Sequence, residues 1–219
     1  MAKVSNMGIW KQLIGEEPDI FEKITHLIKN GNNSGEFGEW LTQYALKTID
    51  GNYFLLKNVY IPYKGKTSEI DLLLVHERGI YVFESKNYSG WIFGSIDNKY
   101  WTQSLNRNKK NRFYNPVLQN RTHIKALVEY LKIPNEHPPK SYIVFSERCE
   151  LKKTPENTDT LKICKRNTML RILQRDLENS LTIYDQSTLT RYKAILEKHT
   201  NISETEKRKH IIEVKRSRG

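Results

Sequence analysis

The spacing of apolar residues changes from a helical to a strand-like period near residue 53. Before this point, apolar side chains recur every three or four positions, which predicts a lead-in helix around residues 20–28 and a second helix over 35–48. The apolar stripe of the second helix comprises Phe37, Trp40, Leu41, Tyr44 and Ala45. Its acids Glu36 and Glu39 lie away from that stripe, because successive helical residues are about 100° apart.

From Tyr53 onward the period is two, which predicts a series of β-strands. The expected strands are residues 53–61, 70–75, 80–86, 91–96, 141–145 and 161–164. The polar and basic stretch 103–112 predicts a loop. Asn115-Pro116 predicts the start of a helix, since Asn caps helices and Pro suits their first turn. Further helices are expected over 168–177 and 187–198. This order predicts an α/β fold with a central mixed β-sheet flanked by helices.

Composition narrows the class of protein. Apolar residues make up 37% of the 219-residue chain, enough to form a core. No apolar run approaches the roughly 18 residues of a spanning helix, and the first residues lack a signal-peptide core, so we expect no membrane insertion or secretion by that route. Cys149 and Cys164 suit free thiols in a reducing compartment. We therefore expect a cytoplasmic protein.

The charge balance points to a polyanionic partner. The chain has 36 Lys and Arg against 25 Asp and Glu, a net charge of +11. Nucleic acid is the commonest polyanion that such proteins bind. A basic cluster surrounds Phe113 and Tyr114, and its members are Arg107, Lys109, Lys110, Arg112 and Arg121. This cluster predicts a nucleic-acid-binding surface, to which we add Tyr88, because cations bind phosphates and aromatic rings stack on bases. The alternative is a solvated loop with two aromatic residues in the core. Trp91 and Trp101 are expected in the core.

A candidate catalytic hairpin lies between residues 70 and 86. If Val75 faces Ile80 across a turn of residues 76–79, Asp71 faces Glu84. Period two then places Lys86 on the same strand face as Glu84. Facing carboxylates about 5 Å apart repel by roughly 3 kcal/mol at an effective dielectric constant near 20. A divalent cation would relieve this repulsion, with help from Lys86. A register slip of one residue would instead separate the acids, and a Glu-x-Lys pattern alone is typical of a solvated strand face.

This pattern suits phosphodiester hydrolysis. Carboxylate oxygens favour Mg²⁺ or Mn²⁺ over zinc. Such an ion polarises a phosphate and lowers the pKa of a bound water. Lys86 would orient or deprotonate that water, or stabilise charge developing on the phosphate. The sequence leaves these roles of the lysine open.

Five segments resemble the nuclease-related domain (NERD) family, which belongs to the PD-(D/E)xK, or restriction-endonuclease-like, nuclease superfamily. They are residues 35–39, 58–62, 68–71, 79–90 and 115–120. The most specific part is Ile70-Asp71 followed by the run from Glu84 to Tyr88. The resemblance spans residues 34–146 and implies a restriction-endonuclease-like core, a mixed sheet with flanking helices. It also implies metal-dependent cleavage of nucleic acid.

The resemblance also implies roles for single residues. Asp71 and Glu84 would bind the metal, with Ser85 included in the metal site, and Lys86 would be the catalytic lysine. Glu39 would be the helical acid that assists the metal, and Gln119 the glutamine beside the site. Ile70 stands where the superfamily often has proline.

The predicted organisation has three parts. Residues 1–33 form a helical lead-in, 34–146 the nuclease core, and 147–219 a C-terminal extension. The extension could complete the sheet, cover one face or form a homodimer contact. The leading hypothesis is a Mg²⁺- or Mn²⁺-dependent nuclease acting on DNA rather than RNA, in restriction, repair or defence. The alternatives are a nucleic-acid-binding module that does not cleave and a regulatory subunit.

Overall fold

The computed structural model describes residues 46–47, 49–106 and 109–200. The strands are β1 (Tyr53–Tyr63), β2 (Lys66–His76), β3 (Gly79–Lys86), β4 (Gly90–Phe93), β5 (Tyr100–Asn106), β6 (Lys109–Tyr114), β7 (Lys140–Phe145), β8 (Cys149–Lys153) and β9 (Leu161–Lys165). The helices are α1 (Pro116–Leu131), α2 (Arg166–Glu178) and α3 (Gln186–Leu196), followed by a 3₁₀ turn at Glu197–His199. The helix predicted over 20–28 and nearly all of that over 35–48 lie outside the described residues.

The strands form two mixed sheets. The larger sheet has the order β1-β2-β3-β7-β9, in which the first three strands are antiparallel and the last two join in parallel. The smaller sheet has the order β6-β5-β4-β8 and is antiparallel except for the β4–β8 pair. The expected α/β fold with a restriction-endonuclease-like mixed sheet and flanking helices is confirmed.

Helices cover both faces of the larger sheet, so its central strand β3 is apolar on both sides, as doubly covered strands are. Ile80 and Val82 pack with residues of α1 and α3. Tyr81 and Phe83 point the other way and pack with α2. A third cluster joins the inner face of the smaller sheet to β7 and β9, and it consists of Ile92, Trp101, Val117, Ile143, Phe145, Cys149, Leu161 and Ile163.

The predicted loop over residues 103–112 is wrong, because this stretch forms most of the β5–β6 pair. The two strands pair antiparallel from Tyr100↔Tyr114 to Asn106↔Lys109. Trp101 and Gln103 are buried, and the alternation with partly exposed Thr102 and Ser104 is period two. Few of the inward positions on these two strands are apolar, so hydrophobic alternation does not identify them as strands. Residues 149–153, which are not among the expected strands, form β8.

One tryptophan prediction is confirmed and the other is wrong. Trp101 is fully buried, whereas the Trp91 side chain is 50% exposed. Trp91 precedes the buried Ile92 on β4, so the alternation of a strand directs it to the opposite face. Cys149 and Cys164 are free, buried thiols. No helix among the described residues is long and apolar enough to cross a membrane.

Candidate active site

The β2–β3 hairpin has the predicted register. Val75 pairs with Ile80 and Leu72 pairs with Phe83, so the next position would set Asp71 opposite Glu84. Asp71 also bonds to the backbone of β3. Its Oδ2 accepts a hydrogen bond of 3.1 Å from the amide of Ser85. The carboxylate of Asp71 is therefore tied to the segment that carries Glu84 and Lys86.

At Asp71 the alternation of inward and outward side chains is interrupted on both β1 and β2. The β1–β2 ladder pairs Lys57 with Leu72 and then Val59 with Ile70, with no pair recorded for the positions between. Asn58, opposite Asp71, has a left-handed backbone with φ of 48°, a conformation that Asn tolerates better than most residues. On β1 the residues that pack with α1 and α3 change from even positions (Phe54, Leu56) to odd positions (Val59, Ile61). On β2 they change in the same way, from Ile70 to Leu73 and Val75. An acid can stand at this switch without displacing a core side chain.

Glu84 is a buried carboxylate between two basic side chains. Its side chain is 1% exposed, and Lys86 Nζ donates a hydrogen bond to Oε1. Nε2 of His123 lies 3.3 Å from Oε2. Burial alone raises the pKa of Glu84, but the Lys86 charge and the His123 contact more than offset it, so the pKa falls to about 2. Glu84 is therefore ionised at neutral pH although it is buried.

Lys86 links the strand to helix α1. Its ammonium donates both to Glu84 and, at 3.3 Å, to Oε1 of Gln119. Burial by itself lowers the pKa of Lys86, but the adjacent Glu84 carboxylate raises it above its ordinary value. The structure thus brings the side chains of Glu84, Lys86 and Gln119 together.

Helix α1 is fixed by two asparagines. The side chain of Asn115 accepts from the amides of Val117 and Leu118, which confirms the predicted cap. The same side chain donates to three carbonyls of the β4–β5 connection. Asn120, fully buried, donates to Val82 O at 2.8 Å and to Ser141 Oγ at 2.9 Å. These bonds hold the N-terminal half of α1 against β3 and β7.

Sequence reasoning missed His123 and Ser68. His123 follows Gln119 by four residues, so both occupy one helix face. Its Nδ1 lies 2.7 Å from Ser68 Oγ on β2, which closes a buried chain from Ser68 through His123 to Glu84. The four-residue spacing was the available signal, but a lone histidine on an amphipathic helix usually has no special role.

The predicted nucleic-acid-binding residues that the structure describes lie on more than one element. Lys109, Lys110 and Arg112 are exposed along β6, whereas Arg121 is exposed on α1. Tyr88 packs on Phe113 with ring centroids 4.3 Å apart. Arg107 and the helical acid Glu39 lie outside the described residues. Ser85 lies between Glu84 and Lys86 and is partly exposed.

The side chains at this site supply some of the oxygen ligands that a hard cation needs. Asp71 and Glu84 supply carboxylate oxygens, and Oε2 of Glu84 is buried with no well-aligned hydrogen bond to any described residue. Within the described ranges, no group of three or more His, Cys, Asp and Glu side chains could hold a metal ion. A divalent cation between Asp71 and Glu84 would need further oxygen ligands.

Comparison with known proteins identifies the family of the chain. The sequence pattern of the nuclease-related domain family matches residues 34–146, just over half of the chain. An uncharacterized protein of Bacillus anthracis is 36% identical over 151 residues, which cover 68% of this chain and 69% of the relative. The matched range contains Asp71, Glu84, Lys86, Gln119 and His123. The chain belongs to the nuclease-related domain (NERD) family.

Proposed function

We propose that this protein is a metal-dependent nuclease that hydrolyses phosphodiester bonds. Membership of the family suggests a nuclease-related function and interaction with nucleic acid. The observation that carries the proposal is the ionised, buried Glu84 held between Lys86 and His123, with Asp71 tied to the same strand segment. A carboxylate pair beside a lysine suits metal-assisted attack of water on phosphate.

The roles of the residues follow from their chemistry. Asp71 and Glu84 would hold Mg²⁺ or Mn²⁺, with Ser85 and Glu39 as further candidate ligands. When bound, the ion supplies polarisation of the phosphate and a more acidic water. Because Glu84 raises the pKa of Lys86, the lysine is charged at neutral pH. This supports stabilisation of phosphate charge over proton abstraction by Lys86. Gln119 would fix the position of the ammonium.

The finer substrate assignment rests on the resemblance alone. We propose DNA rather than RNA as the substrate. Restriction, repair or defence against foreign DNA is the proposed setting.

Cleavage assays with matched variants test the proposal. Plasmid DNA, single-stranded DNA and RNA are incubated with Mg²⁺, Mn²⁺ or EDTA and with wild type, Asp71→Asn, Glu84→Gln or Lys86→Ala. We expect cleavage only with a divalent ion and a loss on the order of 100-fold or more in each variant, the usual cost of removing an electrostatic catalytic group.

The exposed pair of Lys193 on α3 and Glu197 in the following 3₁₀ turn provides the control. Its atoms lie 3.7 Å apart and both side chains are about half exposed. Lys193→Ala and Glu197→Gln remove the same kinds of charge far from the proposed chemistry, so cleavage should be unchanged. Equal cleavage by wild type and the three site variants would refute the site assignment.

A nucleic-acid-binding module that does not cleave is the second candidate. It is favoured by the ion pair between Glu84 and Lys86, which leaves the carboxylate no obligatory need for a metal ion. This alternative predicts salt-dependent binding and no cutting under any metal in the same assay.

A further inference from the structure

The smaller sheet has one face packed on the core and one face turned to solvent. Ile92 and Trp101 point inward, so Trp91, Phe93, Thr102 and Ser104 point outward. The register aligns Trp91 with Ser104 and then Lys110, and Phe93 with Thr102 and then Arg112. We call this surface the outer face.

Aromatic rings and cations alternate on the outer face. Lys152 Nζ lies 5.1 Å from the centre of the Trp91 ring. The Arg112 guanidinium lies 5.0 Å from the centre of the Tyr100 ring, which Lys99 also approaches at 5.2 Å. Tyr100 packs edge-on against Tyr114 at 6.3 Å. Large flat rings bordered by positive charge thus extend across neighbouring strands.

The charge of the outer face is strongly positive. Its cations in the described part of the chain include Lys99, Lys110, Arg112 and Lys152, and the acid among them is Glu150, paired with Lys152 at 2.6 Å. A surface built to bind another protein would more often present uncharged aromatic and aliphatic groups at its centre. Rings that alternate with cations match the alternation of bases and phosphates in a single strand.

We propose that the outer face binds an unpaired nucleic-acid strand, with bases stacked on Trp91 and Tyr100 and phosphates held by Lys110, Arg112 and Lys152. In a duplex the base faces are covered by their neighbours, so this surface discriminates in favour of single strands. The inference rests on the proposed function in one respect, that the bound strand is the substrate.

The outer face lies within reach of the candidate active site. Lys86 and Trp91 are five residues apart, so their Cα atoms are separated by at most about 18 Å. At about 3.4 Å per stacked nucleotide, roughly five nucleotides span this distance. A strand of about five nucleotides is therefore long enough to join Trp91 to Lys86.

Fluorescence anisotropy in EDTA tests the inference without cleavage. The probes are a labelled oligothymidylate, an oligouridylate and a duplex of the same length. We expect Trp91→Ala to weaken binding of the single strands about tenfold, as loss of one stacked base does. Trp91→Phe keeps a ring and should restore most of the affinity. The thymidylate and uridylate results identify which sugar the face prefers.

Salt titration tests the phosphate contacts. Each of Lys110→Ala and Arg112→Ala should lower the slope of log K against log salt by about 0.7, the value for one phosphate contact of a single strand. The controls are Tyr130→Ala, which removes another exposed aromatic ring, and Arg191→Ala, which removes a cation 5.3 Å from the Tyr192 ring. Both controls should bind the probes as wild type does.

Three results would overturn the inference: wild-type affinity of Trp91→Ala for both single strands, an equal loss for the duplex, or equally tight, Trp91-dependent binding of polyglutamate. The two proposals fail separately. Trp91-dependent binding with no cleavage under any metal would sink the nuclease proposal alone. Cleavage that requires Glu84, with binding indifferent to Trp91, would sink only the outer-face proposal.

Discussion

Glu84 shows how neighbouring side chains decide the state of one buried group. Desolvation opposes its charge, yet Lys86 and His123 lower its pKa to about 2. Removing either neighbour destabilises the fold, because the buried charge then loses a group that offsets its desolvation. The residues around Glu84 therefore matter for folding as well as for the proposed chemistry.

Replacing His123 separates these two contributions. His123→Ala leaves Ser68 Oγ and Glu84 Oε2 without their imidazole neighbour, which should cost about 1–3 kcal/mol in the free energy of unfolding measured with urea. It should also lower cleavage, because the Glu84 carboxylate loses its orientation. His123→Gln should recover part of both.

His76 is the matched control. It is also buried, and its ring bonds to Asp50 O at 2.8 Å and to the amide of Arg78 at 3.0 Å. His76→Ala should lose comparable stability without a specific loss of cleavage by the folded protein. If His123→Ala cleaves as efficiently per folded molecule as His76→Ala, His123 has only a structural role.

Strict alternation made the placement of Glu84 and Lys86 predictable from sequence. A short turn fixes the register of a hairpin, and Val75↔Ile80 is the observed pair. The contact between Glu84 and His123 was not predictable, because it joins a strand to a helix that begins about thirty residues later and depends on the helix rotation. The hydrogen bond from the Ser85 amide to Asp71 was not predictable either, because the strand alternation changes at Asn58 and Asp71.

At the scale of elements, the β4–β5 pair depends on close backbone approach. A Cβ on Gly90 would lie 2.3 Å from the carbonyl oxygen of Ser104, closer than atoms can pack. Gly90 also has φ of 75°. The start of β4 therefore requires glycine both for its conformation and for the space it leaves to β5.

A pair of glycine substitutions separates the two requirements. Gly65 has φ of 73°, and a Cβ there would meet nothing within 4 Å. Gly65→Ala should cost about 1 kcal/mol for the left-handed backbone. Gly90→Ala should cost about 2–4 kcal/mol, since overpacking adds to that strain. Urea unfolding of both variants measures the difference. Equal losses would mean that β4 and β5 do not approach as closely as the structure shows.

Elements with apolar alternation were predictable, and those with polar alternation were not. The strands β1, β2, β3 and β7 contain runs of Val, Ile, Leu, Phe or Tyr, and β9 alternates Leu161 and Ile163 with lysine and cysteine. On β5 one inward position is Gln103, whose amide donates to Ser89 O and accepts from Asn111. Those hydrogen bonds allow a polar residue to take a core position, which periodicity of hydrophobic residues cannot reveal. The parallel strand β8 pairs with β4 across more than fifty residues, so no local turn marks it.

For the whole molecule, the proposed metal site predicts that ion binding raises the stability of the fold. An ion that binds the native site and not the unfolded chain stabilises the fold by RT ln(1 + [ion]/Kd), or about 2.7 kcal/mol at one hundred times Kd. We expect MnCl₂ to raise the thermal midpoint of the wild type relative to EDTA. The increase should disappear in Asp71→Asn and Glu84→Gln, which replace the proposed ligands with amides of similar shape.

Glu197→Gln serves as the carboxylate control for this shift. Its exposed side chain lies at the end of α3, outside the proposed site. It should keep the full Mn²⁺ response. A wild-type response in Glu84→Gln would place the bound ion elsewhere on the protein.

The C-terminal third of the chain, beyond the family match, finishes both sheets. β8 pairs with β4 and β9 pairs with β7, and the amides of Ile183 and Tyr184 both donate to Glu77 O in the β2–β3 turn. A fragment ending at residue 146 would expose the backbone of β4 and β7 along two open edges, which recruit strands from other chains. The segment after the family match thus covers edges that would otherwise favour aggregation, and a fragment limited to the matched residues would expose them.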